Sequence, residues 1–310
     1  MRKFLLGVAL LAVVAAACAE ESEPASPSAD ASETTSTSAT PATAADCAVG
    51  ATFVADGVLT IGTDNPAYPP YFQGGSDKDS DWKINDPTTG EGFESAVAYE
   101  IASRLGFTDD QVTWTVVKFA QSYAPGPKTF DFDINQISYS AKRAQAADFS
   151  ESYYDVNQAL VVVEKTPITD ATSVEELAAF TLAAPIGTTS YDLIQSYIGA
   201  EAGVYQTLAD SVAALNAGQV DGIVVDYPTA LYIADPFVQQ VKNSTVLAQF
   251  PNDAVEGGEY FGTVQAKDST LTPCINLALQ EMKADGSLEA ITTEWLSEKT
   301  NVGEVPVFSK

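Results

Sequence analysis

The strongest constraint on the fold is a rhythm of short apolar runs, each ending in a polar turn that opens onto a helix-period pattern. VLTIGTD (58–64), VTWTVVKF (112–119), FDFDINQIS (130–138), ALVVVEK (159–165), TLAAP (181–185), VDGIVVD (220–226), a run near 246–250 and YFGTVQA (260–266) read as strands. After the first of them, Phe93, Val97, Ile101 and Leu105 recur at every fourth position with Gly106 as the stop, which predicts a helix. Further helices are expected around 174–179, from the IGTTS turn (186–190) through Tyr197, at 211–216, at 228–234, at 271–284 and at 287–297. Alternation of this kind predicts an α/β protein whose sheets are mainly parallel and flanked by helices. ALVVVEK, apolar along most of its length, reads as the middle strand of such a sheet. The strands are too many for one small sheet, so two α/β lobes are expected.

The first eighteen residues stand outside this rhythm. MRKF is a short positive start, LLGVALLAVVAAA is an apolar run too short to span a bilayer comfortably, and Cys18 closes it. That pattern is an export signal. Ala15, Ala16 and Ala17 before Cys18 resemble a bacterial lipobox, which implies that Cys18 carries the lipid and becomes the new N-terminus; the alternative is an ordinary cleaved signal that contains a cysteine. Residues 19–46 are Ser, Thr, Ala, Pro and acidic residues with no large apolar side chain, so they read as a flexible linker. The expected address is extracytoplasmic, with a lipid anchor on the outer face of the cell membrane.

Charge and composition exclude several functions. Forty-two acidic residues against 15 basic ones, a net of −27, leave no surface for nucleic-acid phosphates. The chain has no histidine, which rules out Ser-His-Asp and Cys-His chemistry and argues against a zinc site. No metal and no cofactor are expected. DKDSD (77–81) has the spacing of a calcium loop, but Trp82 stands where the turn glycine belongs and Thr88 where the closing Glu belongs, so a solvated acidic loop is expected. Leu288, Ile291 and Trp295 form an apolar helical face that reads as core packing. With Cys18 assigned, Cys47 and Cys274 remain; export permits a disulfide between them, the alternative being two separate buried thiols.

In open α/β sheets ligands gather at the carboxyl ends of strands, so the strand ends are where to look for chemistry. Four of them carry polar groups: Asp64 with Tyr68 behind it, the 134–143 segment with Arg143, Gly187–Thr188–Thr189 before a helix, and Asp226 before another helix. The GTTS turn offers N–H groups and hydroxyls at a helix start, suited to a carboxylate. Each residue also has an ordinary structural reading. Thr189, Ser190 or Asp226 could be helix caps, Asp64 a turn former, and Arg143 an ion pair at a helix start.

Together these residues resemble a known family. SYSAKRAQAADFSESYY (138–154) is similar to the signature of extracellular solute-binding proteins of the polar amino-acid class, the receptors of ABC importers. GTD, YPP, GF and EIASRLG at the front, IGTTS, and AGQVDGIVVD follow in matching order over about 55–298. The segment GPKTFDFDINQIS is longer and more polar than the family's usual pattern, which has small residues near Asn135 and Gln136. The resemblance implies a type II periplasmic-binding-protein fold, with residues 47–156 and 255–310 in one lobe, 157–254 in the other, and the ligand between them. It implies that Arg143 clamps a ligand α-carboxylate, which a planar guanidinium does in two parallel bonds. By the same resemblance Ser138, Thr188 and Thr189 complete the carboxylate site, Asp226 accepts from the α-ammonium, Tyr68 and Phe119 sandwich the ligand, and Asp64 and Gln136 lie near its side chain. The implied partners are an amino acid or close derivative, an ABC permease and its ATPase, and the implied protein is a monomer and not an enzyme. The alternatives are an exported cyclohexadienyl-dehydratase-like enzyme, with Glu94 or Asp133 as proton donors, and a receptor that signals to a membrane sensor.

Overall fold

Two five-stranded sheets carry the fold, and each mixes parallel with antiparallel pairing. The computed structural model describes residues 43–75, 80–238, 240–255, 257–297 and 305–310, all of them in one compact unit, Pro41–Lys310. The export signal, Cys18, nearly all of the linker and most of the DKDSD loop lie outside the described residues. Strands are numbered in chain order among the described residues. β1 (Leu59–Thr63), β2 (Val112–Val116), β3 (Phe132–Asp133) and β4 (Ala147–Phe149) are followed by β5 (Tyr154–Asp155), β6 (Gln158–Val163), β7 (Thr181–Pro185) and β8 (Glu201–Tyr205). β9 (Gly222–Asp226), β10 (Ser244–Phe250), β11 (Tyr260–Phe261) and β12 (Val264–Ala266) complete the set.

The first sheet has the order β2-β1-β3-β12-β4 and the second β10-β6-β9-β7-β8. In the first, β1 runs parallel to β2 and β3, while β12 is antiparallel to β3 and β4. In the second, β7 runs parallel to β8 and β9, while β6 is antiparallel to β9 and β10. ALVVVEK is therefore central but antiparallel on both sides. The reason is connectivity. Strands reached through crossover segments lie parallel, whereas β4, β6, β10 and β12 adjoin the two segments that cross between the sheets and enter from the other direction. β6 reads as continuously apolar because both faces are covered: Leu160 and Val162 pack into one core, Ala159 and Val161 into another.

The helix predicted from the fourfold spacing is Phe93–Arg104, and Phe93, Val97 and Ile101 all face the core of the first sheet with Leu59, Ile61 and Phe132. β3 is far shorter than the expected 130–138. Gln136 sits in the left-handed region at φ 47°, and its backbone N–H is held by Glu94 Oε1 at 2.6 Å, so the chain turns out of the sheet after Asp133. That turn puts Asn135, Gln136 and Ser138 in a loop at the strand end. Gly62 pairs with Asp133 across β1 and β3, and a Cβ there would meet Asp133 Oδ2 at 2.5 Å; only glycine leaves room for the carboxyl.

The two crossing segments pair as the short ribbon β5–β11. Asn252 clasps them. Its Nδ2 donates to Val156 O at 2.9 Å and to Glu259 O at 2.5 Å, and its Oδ1 accepts from Glu259 N at 3.2 Å.

Three further features refine the sequence reading. Thr43 caps a helix over Ala44–Ala48, so folded structure begins inside the segment expected as linker; Ala44 is fully buried, and small alanines can pack where a longer polar run could not. Cys47 and Cys274 form a disulfide, Cα to Cα 5.3 Å, which fastens that helix to Thr272–Asp285. The C-terminal residues 305–310, expected with the first lobe, lie on the second instead. Gln249 N donates to Pro306 O and Phe308 N to Gln249 O, both at 2.8 Å, and this covers the open edge of β10.

Candidate functional site

Arg143 lies between the two sheets, 92% hidden from solvent. One guanidinium nitrogen donates to Ser138 O at 2.6 Å and another to Gly187 O at 2.9 Å, so one side chain ties the loop after β3 to the loop after β7. Phe119 and Tyr123 flank it, with ring centroids 5.4 and 4.4 Å from the guanidinium carbon. Burial pulls its pKa down. Among the described residues no carboxylate oxygen lies within 4.0 Å of it, so the ion pair offered by its ordinary structural reading is not made.

Beside it, hydroxyls from both lobes converge on one carboxylate. Ser138 Oγ and Thr189 Oγ1 each donate to Glu259 Oε1 at 2.5 Å, and Gln158 Nε2 reaches Oε1 at 3.1 Å and Oε2 at 3.0 Å. Ser190 Oγ in turn donates to Gln158 Oε1 at 2.7 Å, which fixes the amide. Glu259 is buried, and burial raises its pKa against the lowering effect of these hydrogen bonds.

A second cluster sits at the end of β9. Asp226 caps the helix Tyr227–Ala234, accepting from Thr229 N at 2.9 Å and from Thr229 Oγ1 at 2.8 Å, and also accepts from the hydroxyl of Tyr71 in the first lobe. The structural reading and the cleft reading are therefore compatible, since this cap faces across the lobes. Burial raises the pKa of Asp226. Tyr68, Tyr71 and Gln136 from the first lobe, with Thr229, Tyr232 and Val212 from the second, line a cavity of about 60 Å³ next to it.

The floor below is acidic. Glu94, fully buried at the start of its helix, accepts from Gln136 N, from Gln136 Nε2 and from Tyr153 OH at 2.5 Å. Burial nevertheless lifts its carboxyl to about 7, with the charge of Asp226 adding to the effect. Asp133 is also fully buried, and neither oxygen accepts a well-formed hydrogen bond. Ser122 is its polar neighbour, but the Ser122 hydroxyl donates to Phe119 O at 2.7 Å. Burial first, and then the charge of Glu94, push the pKa of Asp133 well up. Among the described residues no group of three or more Cys, Asp or Glu has metal-holding geometry.

The sequence and the two-lobed α/β body match known proteins. The sequence pattern of the bacterial extracellular solute-binding proteins, family 3, covers residues 59–298. The chain belongs to that family. L-cystine-binding protein TcyA of Bacillus subtilis (strain 168) is 28% identical over 249 residues, 80% of this chain and 84% of that protein. An ancestral arginine-binding protein solved with arginine superposes with a TM-score of 0.61 at 24% identity, over 78% of this chain and 99% of its own. The ancestral amino acid-binding protein AncCDT-1, a precursor of cyclohexadienyl dehydratase, superposes at 0.60 and 23% identity over 78% and 96%. Like its family, the protein is an extracytoplasmic solute-binding protein.

Of the residues singled out in the sequence, Arg143, Ser138, Thr189 and Phe119 come together around the first cluster. Asp226, Tyr68 and Gln136 lie at the second, where Tyr71 joins Asp226 to the cavity that Tyr68 and Gln136 line. Two others have their side chains committed to the backbone. Asp64 accepts from Asn65 N at 2.7 Å and Phe119 N at 3.3 Å, ordering its own loop. Thr188 accepts from Tyr191 N at 3.2 Å and donates to Pro185 O at 2.7 Å, capping the helix Thr189–Leu193. Sequence reasoning passed over Glu259, Gln158, Tyr71 and Tyr123. Tyr71, adjacent to the Tyr68-Pro-Pro turn, carried the one usable signal; the other three sit in stretches with no local motif.

Proposed function

We propose that this solute-binding protein captures an amino acid, or a close derivative, between its lobes and presents the closed form to an ABC permease. Arg143 carries the reading. A guanidinium taken out of water, with no ion pair among the described residues and with fixed bonds to carbonyls of both lobes, is suited to grip a carboxylate in the plane of its remaining donors. Asp226, across the cleft, supplies the anion for an ammonium group. A zwitterion engages both only when the lobes are together, so binding favours closure by its differential affinity for that state. Lipidation at Cys18 would keep the protein at the outer face of the membrane, within reach of the permease.

The test is a thermal-shift screen against the proteinogenic L-amino acids and L-cystine, with cyclohexadienyl acids and sugars as controls. A ligand at a hundred times its dissociation constant adds about 2.7 kcal/mol, which is readily seen. A shift with one or more amino acids supports the reading, and a shift only with controls contradicts it. The dehydratase reading keeps one supporting observation, the carboxyl of Glu94 held at about 7, in the range of a general acid. It stands second because Glu94 already accepts from Gln136 and Tyr153; turnover of a cyclohexadienyl acid, lost in Glu94→Gln, would bring it forward.

A further inference from the structure

The residue in the cleft that has no assigned part is Glu259. It lies on the second crossing segment, and its backbone is pinned on both sides. Val156 N donates to Glu259 O at 3.2 Å, and Asn252 holds both its N–H and its carbonyl. Gly257 and Gly258 just before it take φ of 85° and 78°, a sharp turn that brings the chain back to Asn252. The side chain is thus aimed from the hinge into the cleft, where its carboxylate meets one hydroxyl from each lobe and the amide of Gln158.

Those partners are the ones an amino-acid carboxylate beside Arg143 would need. A serine or threonine hydroxyl has a single proton to donate, and the protons of Ser138 and Thr189 are both directed at Glu259 Oε1. A second carboxylate cannot take the same donors while the first remains. Nor would two carboxylates sit side by side comfortably, because burial and the charge of Asp226 already weigh against ionised Glu259, and Arg143 is a single cation whose charge Glu259 already feels.

We propose that Glu259 is an internal carboxylate occupying the ligand's carboxylate position, and that an amino acid binds by displacing it from Ser138 and Thr189. The inference rests on the amino-acid reading of the cleft. It makes Glu259 a determinant of both affinity and specificity. Part of the ligand's binding energy goes into moving it, and a ligand with a second carboxylate meets its charge at close range.

The experiment is calorimetric titration of the protein and of two variants, Glu259→Gln and Glu259→Asp, with the proteinogenic L-amino acids and L-cystine. Glutamine keeps the shape and an acceptor oxygen but removes the charge. Aspartate keeps the charge but is one methylene too short to reach both hydroxyls, which guards against one variant folding poorly. Both are expected to bind the amino acid about tenfold more tightly than the native protein, as suits the loss of one charge-assisted hydrogen bond that competes with the ligand. Affinity unchanged within about twofold in both variants would overturn the proposal. So would weaker binding in both, which would make Glu259 a direct ligand contact. If neither the native protein nor either variant binds any amino acid, the amino-acid reading itself has failed and the proposal falls with it, an outcome recognisable by the silence of all three proteins.

Discussion

Replacing Glu94 with glutamine should make the protein progressively more stable relative to the native one as pH rises from the ordinary carboxyl value to about 7, and no further beyond it. Burial holds this carboxyl at about 7 against an ordinary value of 4.5. In the unfolded chain it ionises at its ordinary value, so across the interval between the two the folded state keeps a proton that the unfolded state has released. Stability therefore falls as pH rises through that window; the contribution is fully present below the ordinary value and lost above about 7. The displacement corresponds to roughly 3 kcal/mol. A glutamine side chain still offers an oxygen to Gln136 N and Tyr153 OH, and the Gln136 amide can turn over to accept from the new NH₂. Urea unfolding of both proteins from about pH 5 to about pH 8 gives the comparison. Glu259, raised by burial, contributes with the same sign to both proteins and largely cancels in the difference. Asp133 and Asp226 are coupled to the Glu94 charge, so its removal eases their ionisation and adds to the swing in the same direction. That difference should swing toward the variant by roughly 2–3 kcal/mol across the window. A difference that stays flat with pH would refute the buried-carboxyl argument.

Two further outcomes follow from the fold. Reduction of Cys47–Cys274, or Cys274→Ser, should cost about 2–5 kcal/mol, because the bond closes a loop of 227 residues in the unfolded chain; thermal unfolding with and without reductant measures it. Gly62→Ala should cost about 1–3 kcal/mol by overpacking, since the new Cβ would meet Asp133 Oδ2 at 2.5 Å and Val117 Cγ2 at 2.9 Å; denaturant unfolding beside the native protein checks it.

Much of the architecture was legible because burial writes itself into periodicity. The helix Phe93–Arg104 showed through its fourfold apolar spacing, and β6 and β9 through unbroken aliphatic runs. Pairing direction was not legible. An apolar run says that both faces are covered but not from which end the strand is entered, and β6 is entered from the hinge. β8, EAGVY, escaped notice because it is an edge strand with exposed positions and a glycine. β3 was overread because nothing in FDFDINQIS announces that Gln136 leaves the extended region; the cause is Glu94, distant in sequence.

In the cleft, Arg143 was conspicuous because cations are scarce in this chain. Its bonds to Ser138 O and Gly187 O depend on two loops meeting across the lobes, which no local pattern encodes. Glu94 entered only as a candidate proton donor of the dehydratase alternative, and Glu259, after two glycines, carries no motif that marks it. Only the fold gives them their surroundings. Asp64 shows the converse, because the turn-forming chemistry visible in the sequence is what its side chain does here, while the helix cap expected from Thr189 or Ser190 falls one residue earlier, on Thr188.

The most direct measurement is calorimetric titration of the best amino acid from the thermal-shift screen into the native protein and into Arg143→Ala. Saturable one-to-one binding to the native protein is expected, with a loss of at least about a hundredfold in the variant, the size expected when two charge-assisted bonds to one carboxylate are removed. Equal affinity in the two proteins would mean that the buried guanidinium does not hold the ligand, and the central claim would be wrong.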